Sequence, residues 1–336
     1  MCSGRKLIPV KCSWSYATST TSLISSKDFR HLKRGKNRGI AGIAFLRGLW
    51  HHRCGYGSVS REQALGAIVR APRSTLSGSR DRSMTRRKQS DLEPWYHSYF
   101  SEPYGEIYAE YLLPPVVDQE EAQFARDALR LKPGARVLDC PCGYGRHLDQ
   151  LRREFPDIVG LDLNRDCLRR AAEWIPGISL VRGDIRALPF PEAAFDAVLN
   201  LFNSFGYFTH KENLGVLAEF ARVLKPGGRA LIDIANPKPL LDIITGHPRT
   251  QQQVHDLLLT EDWDFEPDSG VLHNRTRIEL AGQVTERSYD LRLYALEEMR
   301  DLLQEARMTF ETVYGDFNGE DYDPEESSRL IVVGRR

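Results

Sequence analysis

Residues 137–147 read Val-Leu-Asp-Cys-Pro-Cys-Gly-Tyr-Gly-Arg-His, and no other stretch restricts the fold as much. The short apolar run through Val137 and Leu138 predicts a buried strand. It ends in an acid, Asp139, and enters a turn built on Pro141, Gly143 and Gly145. A helix-like segment over 147–155 follows. Strand, glycine-rich turn and helix in succession are how a parallel α/β sheet offers backbone N–H groups to a ligand. The glycines let that ligand lie against bare backbone.

The details restrict the ligand. A dinucleotide fingerprint places a third small residue after Gly-x-Gly, but Gly143-Tyr144-Gly145 is followed by Arg146-His147-Leu148. Asp139 would repel a diphosphate and welcome a cationic or zwitterionic group. Both features disfavour a nicotinamide oxidoreductase. A second run, 158–162, ends in Asp162, placed to accept from the hydroxyls of a ribose. A third, 178–184, ends in Asp184, which could accept from an adenine amino group. Three successive strands thus end in acids on one sheet edge. S-adenosylmethionine offers an ammonium, a ribose and an adenine in that order.

The same residues carry a family resemblance. Val137-Leu-Asp-Cys-Pro-Cys-Gly-Tyr-Gly145, Gly160-Leu-Asp162-Leu, Gly183-Asp184-Ile-Arg186, Leu188-Pro-Phe-Pro191, Phe195-Asp-Ala-Val198 and Leu224-Lys-Pro-Gly-Gly228 occur in order. From about residue 91 onward the chain resembles a class I S-adenosylmethionine-dependent methyltransferase. Cys-Gly-Tyr-Gly-Arg-His at 142–147, Ser-Phe-Gly-Tyr-Phe at 204–208 and Leu-Arg-Leu-Tyr at 291–294 resemble a bacterial subgroup of that family. The one departure in the cofactor loop is Pro141, where a glycine is common. The resemblance implies a Rossmann-like, doubly wound seven-stranded α/β sheet. It also implies methyl transfer to an oxygen, nitrogen or carbon nucleophile, and fixes no substrate.

The carboxyl-edge rule for open α/β sheets and the resemblance together define candidate site residues. For the cofactor these are Asp139, Pro141, Gly143, Gly145, Asp162, Leu163, Asp184, Ile185 and Asn200. Asp139 is expected to order the loop, or the ammonium through water. Tyr207 and His147 are the candidate bases, needed only if the nucleophile keeps a proton. By resemblance, Arg292, Tyr294 and Tyr314 face the substrate mouth with Tyr104, from the aromatic segment 93–113. The forked guanidinium of Arg292 would suit a carboxylate or phosphate. No metal ligand set is evident.

The formal net charge of zero conceals a division. Residues 1–83 carry sixteen Lys and Arg against three Asp and Glu, and the remainder carries thirty against forty-three. The acidic remainder, 84–336, disfavours nucleic acid as its partner. Translation is expected to begin at Met84, with 1–83 a disordered basic extension from a misassigned start. An organelle transit peptide or a nucleic-acid-binding arm are the alternatives. Cysteines at 2, 12, 54, 140, 142 and 167 show no metal-binding spacing and fit a reducing cytoplasm. No run reaches the apolar length of a membrane helix. The expected partner is a small-molecule methyl acceptor, with the protein a monomer or homodimer. An RNA methyltransferase and a non-catalytic S-adenosylmethionine-binding protein are the alternatives.

Periodicity adds helices over 119–131, 165–175, 213–224 and 296–308, and strands over 195–202, 229–234, 309–314 and 330–333. Between about 253 and 294 the pattern turns to β-like alternation. This predicts an antiparallel insertion capping the sheet before the last helix.

Overall fold

The computed structural model describes residues 115–254 and 256–336. The expectations for 1–83, for the Met84 start, for the segment 93–113 and for Tyr104 lie outside the described residues.

The chain runs α1(Pro115–Ala128), β1(Val137–Asp139), α2(Arg146–Leu151), β2(Val159–Asp162), α3(Arg165–Trp174), β3(Ser179–Arg182), β4(Phe195–Asn200), α4(His210–Val223), β5(Leu224–Ala235) and α5(Pro237–Gly246). It continues with β6(Arg249–Val254), β7(Leu257–Glu266), β8(Val271–Leu280), β9(Gln283–Arg292), α6(Leu296–Glu305), β10(Thr309–Tyr314) and β11(Arg329–Arg335). Seven strands form one sheet in the order β10-β11-β5-β4-β1-β2-β3. All pair in parallel except β11, which runs antiparallel between β5 and β10. The order reverses between β1 and β4, which opens a crevice at their carboxyl ends. The seven-stranded α/β architecture is the one predicted.

Both faces of this sheet are covered, which is why its central strands read as unbroken apolar runs. Ala125, Leu148, Leu151 and Ile175 pack on one face from α1, α2 and the end of α3. Val216, Leu217, Phe220, Leu302 and Leu303 pack on the other from α4 and α6. Two caps fix where the chain turns from site to helix. The Asn164 side chain accepts from the N–H groups of Asp166 and Cys167 at the start of α3, and Thr209 and Glu212 form a reciprocal capping box on α4.

Close packing of α2 onto β2 depends on Gly160. A Cβ there would lie 2.5 Å from Leu148 Cδ1 and 2.8 Å from Cys142 Sγ. The small residue missing from the loop's third glycine position is therefore supplied from β2. Gly160→Ala is expected to cost about 1–3 kcal/mol by overpacking, read as a lower midpoint in urea unfolding.

Strands β6 to β9 form a separate antiparallel sheet, the predicted cap. It begins four residues earlier than the alternation indicated, because β6 is a polar edge strand, Arg-Thr-Gln-Gln-Gln-Val, with no apolar period. One face of this cap packs through Trp263, Leu272, Tyr289 and Leu291 against Leu240 and Ile244 of α5. Helix α5 is an element beyond those predicted.

Candidate active site

The crevice is defined by what ends β1, β2 and β4. Asp139 is buried, and neither of its carboxylate oxygens has a hydrogen-bond partner. Asn200 is fully buried. Its Nδ2 donates to the Cys140 carbonyl at 2.9 Å, and its Oδ1 has no partner. Because Asp139 pairs with Leu199 across the sheet, these two residues stand on adjoining strand ends. Three acceptor oxygens without a donor are thus gathered at the switch point. Burial pushes the Asp139 carboxyl up to about 6, opposed by the neighbouring His147 and Arg146.

The loop beyond Asp139 is ordered by Asp162, not by Asp139 as expected. The Asp162 carboxylate accepts from the N–H of Gly143 and the N–H of Asn164, each at 2.8 Å. Burial raises its pKa, while these backbone donors and that of Leu163 oppose the rise. Gly143 has φ +53 and open space where a Cβ would be, so the loop presents bare backbone to the crevice. Gly145 has φ +85, and a Cβ there would meet Ile175 at 2.9 Å; its role is packing on α3. Pro141 lies between Asp139 and Gly143 in this loop, and Leu163 lies just beyond Asp162, its carbonyl accepting from Arg182 Nε. Asp184 is engaged by the fork of Arg186, with Nη2 to Oδ2 at 2.7 Å. Arg186 also reaches Glu212 at 2.7 Å and covers the Phe208 ring at 4.5 Å. Ile185 packs into the core beside Leu188.

A buried ionic group lies next to the loop. Arg146 Nη1 donates to Asp118 at 2.7 Å and to Glu121 at 2.6 Å, and His147 Nε2 lies 2.7 Å from Glu121. Burial alone would raise the Glu121 carboxyl, but Arg146 and His147 outweigh it and hold it at about 2. The Arg146 guanidinium also covers the Phe202 ring at 4.7 Å. Phe202 and Asn203, just after β4, both have φ +60, a left-handed conformation unusual for phenylalanine and readily adopted by asparagine. Buried Asp233 pins them: its Oδ2 accepts from Phe202 N–H at 2.7 Å, and its Oδ1 from Arg329 Nε at 2.7 Å. Asn203 Oδ1 accepts from Ala235 N–H at 2.6 Å. Sequence reasoning did not single out Asp118, Glu121, Arg146, Asp233 or Arg329. The available signal was an acid, Asp233, inside the apolar run of β5.

Three expectations for the substrate side need correction. Arg292 is not presented to the mouth. Its guanidinium is held by Glu298 and the Leu293 carbonyl and lies 4.7 Å over the Tyr294 ring. Tyr294 is fully buried, and its hydroxyl accepts from Asn213 Nδ2 at 3.0 Å, so it belongs to the core between α4 and α6. Tyr207 packs edge-on to Tyr289 at 5.8 Å, and burial raises its hydroxyl pKa, the wrong direction for a base. His147 sits beside the loop, but bound to Glu121. Tyr314 does end β10 at the same sheet edge as Asp139, with its ring against Phe124 at 5.1 Å.

Residues 137–228 match the family model described as methyltransferase domain. Over that segment the chain is similar to a methyltransferase domain. Over 105 residues it is 37% identical to the dTDP-3-amino-3,4,6-trideoxy-alpha-D-glucopyranose N,N-dimethyltransferase of Streptomyces venezuelae, covering 31% of this chain and 44% of that protein. Over 111 residues it is 43% identical to the fatty-acid O-methyltransferase of Mycolicibacterium smegmatis, covering 31% of this chain and 39% of that protein. The chain thus spans less than half the length of either curated relative. The CcbJ methyltransferase from Streptomyces caelestis superposes with a TM-score of 0.60 at 19% identity, over 70% of this chain and 97% of its own. That likeness is one of fold.

Among the described residues no helix is long and apolar enough to cross a membrane, and no group of three potential metal ligands occurs.

Proposed function

We propose that this chain is an S-adenosylmethionine-dependent methyltransferase acting on an oxygen, nitrogen or carbon nucleophile of a small molecule, with 84–336 as its methyltransferase domain. The observation that carries this reading is the set of unpartnered acceptors on Asp139 and Asn200 beside the open backbone of Gly143. Buried polar groups are otherwise satisfied, and an ammonium supplies the donors that these oxygens lack. The residues present therefore fit the cofactor. Asp139 and Asn200 would hold its amino-acid end, Asp162 and Leu163 its ribose, and Asp184 and Ile185 its adenine. When bound, S-adenosylmethionine supplies a sulfonium methyl that is already activated.

The protein's own contribution is alignment and exclusion of water. Asp162 fixes the loop through Gly143, and Asp233 fixes the turn after β4 through Phe202. The cap packs against α5 and Tyr207 on the side where the acceptor must enter. Neither Tyr207 nor His147 is placed as a free base. Tyr207→Phe is expected to keep turnover within about threefold, against the roughly hundredfold or larger loss on removing a true general base.

The test of the reading is calorimetric titration of the full chain with S-adenosylmethionine, with NAD⁺ as control. Micromolar binding of the first alone supports it. Binding of NAD⁺ alone, or of neither, overturns it.

A further inference from the structure

The segment after β3 is fastened to α4 in two ways. Its main chain is held by Glu219 and Arg222. Glu219 accepts from the Leu188 N–H at 2.7 Å, and the Arg222 guanidinium donates to the Leu188 and Phe190 carbonyls at 2.9 and 2.7 Å. Arg186 instead closes its fork on a side chain, that of Asp184. Nε lies 3.1 and 3.2 Å from the two carboxylate oxygens, and Nη2 donates to Oδ2 at 2.7 Å. The Arg186 main-chain N–H adds a bond to Oδ1 at 2.8 Å. The guanidinium is itself fixed. Nη1 donates to Glu212 Oε1 at 2.7 Å, and Oε2 of the same carboxylate accepts from the N–H of Thr209, the cap of α4, at 3.1 Å. Beneath the fork lies the Phe208 ring, 4.5 Å away.

This arrangement adds little to stability. The Asp184 and Arg186 side chains are 28% and 27% exposed, and ion pairs so open to water contribute little. The main chain here is secured by Glu219 and Arg222 without Arg186. What a planar fork supplies is direction. A carboxylate left to itself turns about its Cβ–Cγ bond. Clamped on both oxygens, Asp184 is an acceptor of fixed orientation whose charge is already balanced. A fixed acceptor favours an N–H set opposite it and cannot turn away from a carbonyl oxygen in the same place. The amino group of adenine is the first kind of neighbour, and the keto group of hypoxanthine is the second.

We infer that Arg186 is a positioning residue: by locking the Asp184 carboxylate it makes the cofactor seat selective for a 6-aminopurine. The inference rests on the placement of adenine at Asp184 proposed above and deepens it.

The experiment is isothermal titration of the full chain and of Arg186→Met with S-adenosylhomocysteine and with its deaminated analogue, S-inosylhomocysteine. The wild-type chain is expected to prefer the adenine compound about hundredfold, and the variant about tenfold, a difference equivalent to one hydrogen bond. The analogue should gain affinity in the variant, because Asp184 can then turn aside. Arg186→Lys restores the charge without the fork and should stay close to Arg186→Met; it also carries the comparison should the methionine variant not fold. A merely structural role would weaken both ligands alike. A wild-type ratio in either variant, or equal binding of the two compounds by the wild-type chain, overturns the inference and leaves the methyltransferase reading standing. Wild-type binding of neither compound overturns both.

Discussion

Asp139→Asn is expected to lower S-adenosylmethionine affinity at pH 8 by about thirtyfold or more, while leaving the ligand-free protein no less stable. The two effects have one cause. Truncating one member of a buried charge pair costs about 2–5 kcal/mol, and in the complex Asp139 is proposed to be that member. Without ligand, the same carboxylate is buried with no partner. Its pKa rises from 3.8 to about 6, a burden on the folded state on the order of 3 kcal/mol when ionised. The folded state holds this proton more tightly than the unfolded one, so the burden is fully present above about pH 6 and is relieved as pH falls toward the ordinary carboxylate range. Ammonium binding needs the ionised form, so affinity should climb as pH rises through about 6. In Asp139→Asn that climb should vanish. Isothermal titration between pH 5 and 8, with thermal melts of the ligand-free protein, reads both effects. Unchanged affinity would remove Asp139 from the cofactor site.

Arg146→Ala should produce the largest loss of stability, about 3–5 kcal/mol, because it leaves Asp118 and Glu121 buried without their cation. For a domain of this size that corresponds to a fall in Tm of roughly 6–20 °C. The effect should be pH-dependent. Glu121 is held at about 2, below its ordinary 4.5, so its contribution is complete above about pH 4.5 and is lost as pH falls toward 2. Wild-type and variant melting curves should therefore converge in acid. Equal loss at pH 3 and pH 7 would mean that packing, including the Phe202 contact, and not charge, is what Arg146 supplies.

Much of the fold was legible because it is written in local signals. Three apolar runs ending in Asp139, Asp162 and Asp184, with Pro and Gly between helical segments, set the parallel half of the sheet. At the candidate site, residue type and strand position place Asp139 and Asn200 at the crevice, and the fold brings their unpartnered oxygens to adjoining strand ends. Arg292 is not so placed: a guanidinium suits an anion of any origin, and only the fold shows that the anion is Glu298. Tyr294 fails for the same reason, its hydroxyl satisfied by Asn213 from α4, 81 residues earlier in sequence. The ionic group at Arg146 joins residues 28 and 25 apart, and no periodicity reports a pairing across two helices. Gly160 was quoted as a motif letter. Its physical task, admitting α2 onto β2, becomes visible only when the Leu148 side chain is in place.

The Arg329–Asp233 pair has a consequence for how the protein is made. Asp233 shapes the turn after β4, yet its cationic partner lies 96 residues downstream, on the strand that leaves the ribosome last among the seven. A nascent chain that has completed every other strand already holds Phe202 and Asn203 through Asp233 and Ala235, but its buried acid in β5 still waits for its cation. The charge balance behind the turn after β4 therefore arrives with β11, the strand that also joins β10 to the rest of the sheet. A product stopped short of Arg329 would keep the turn's hydrogen bonds and carry an uncompensated acid beneath them.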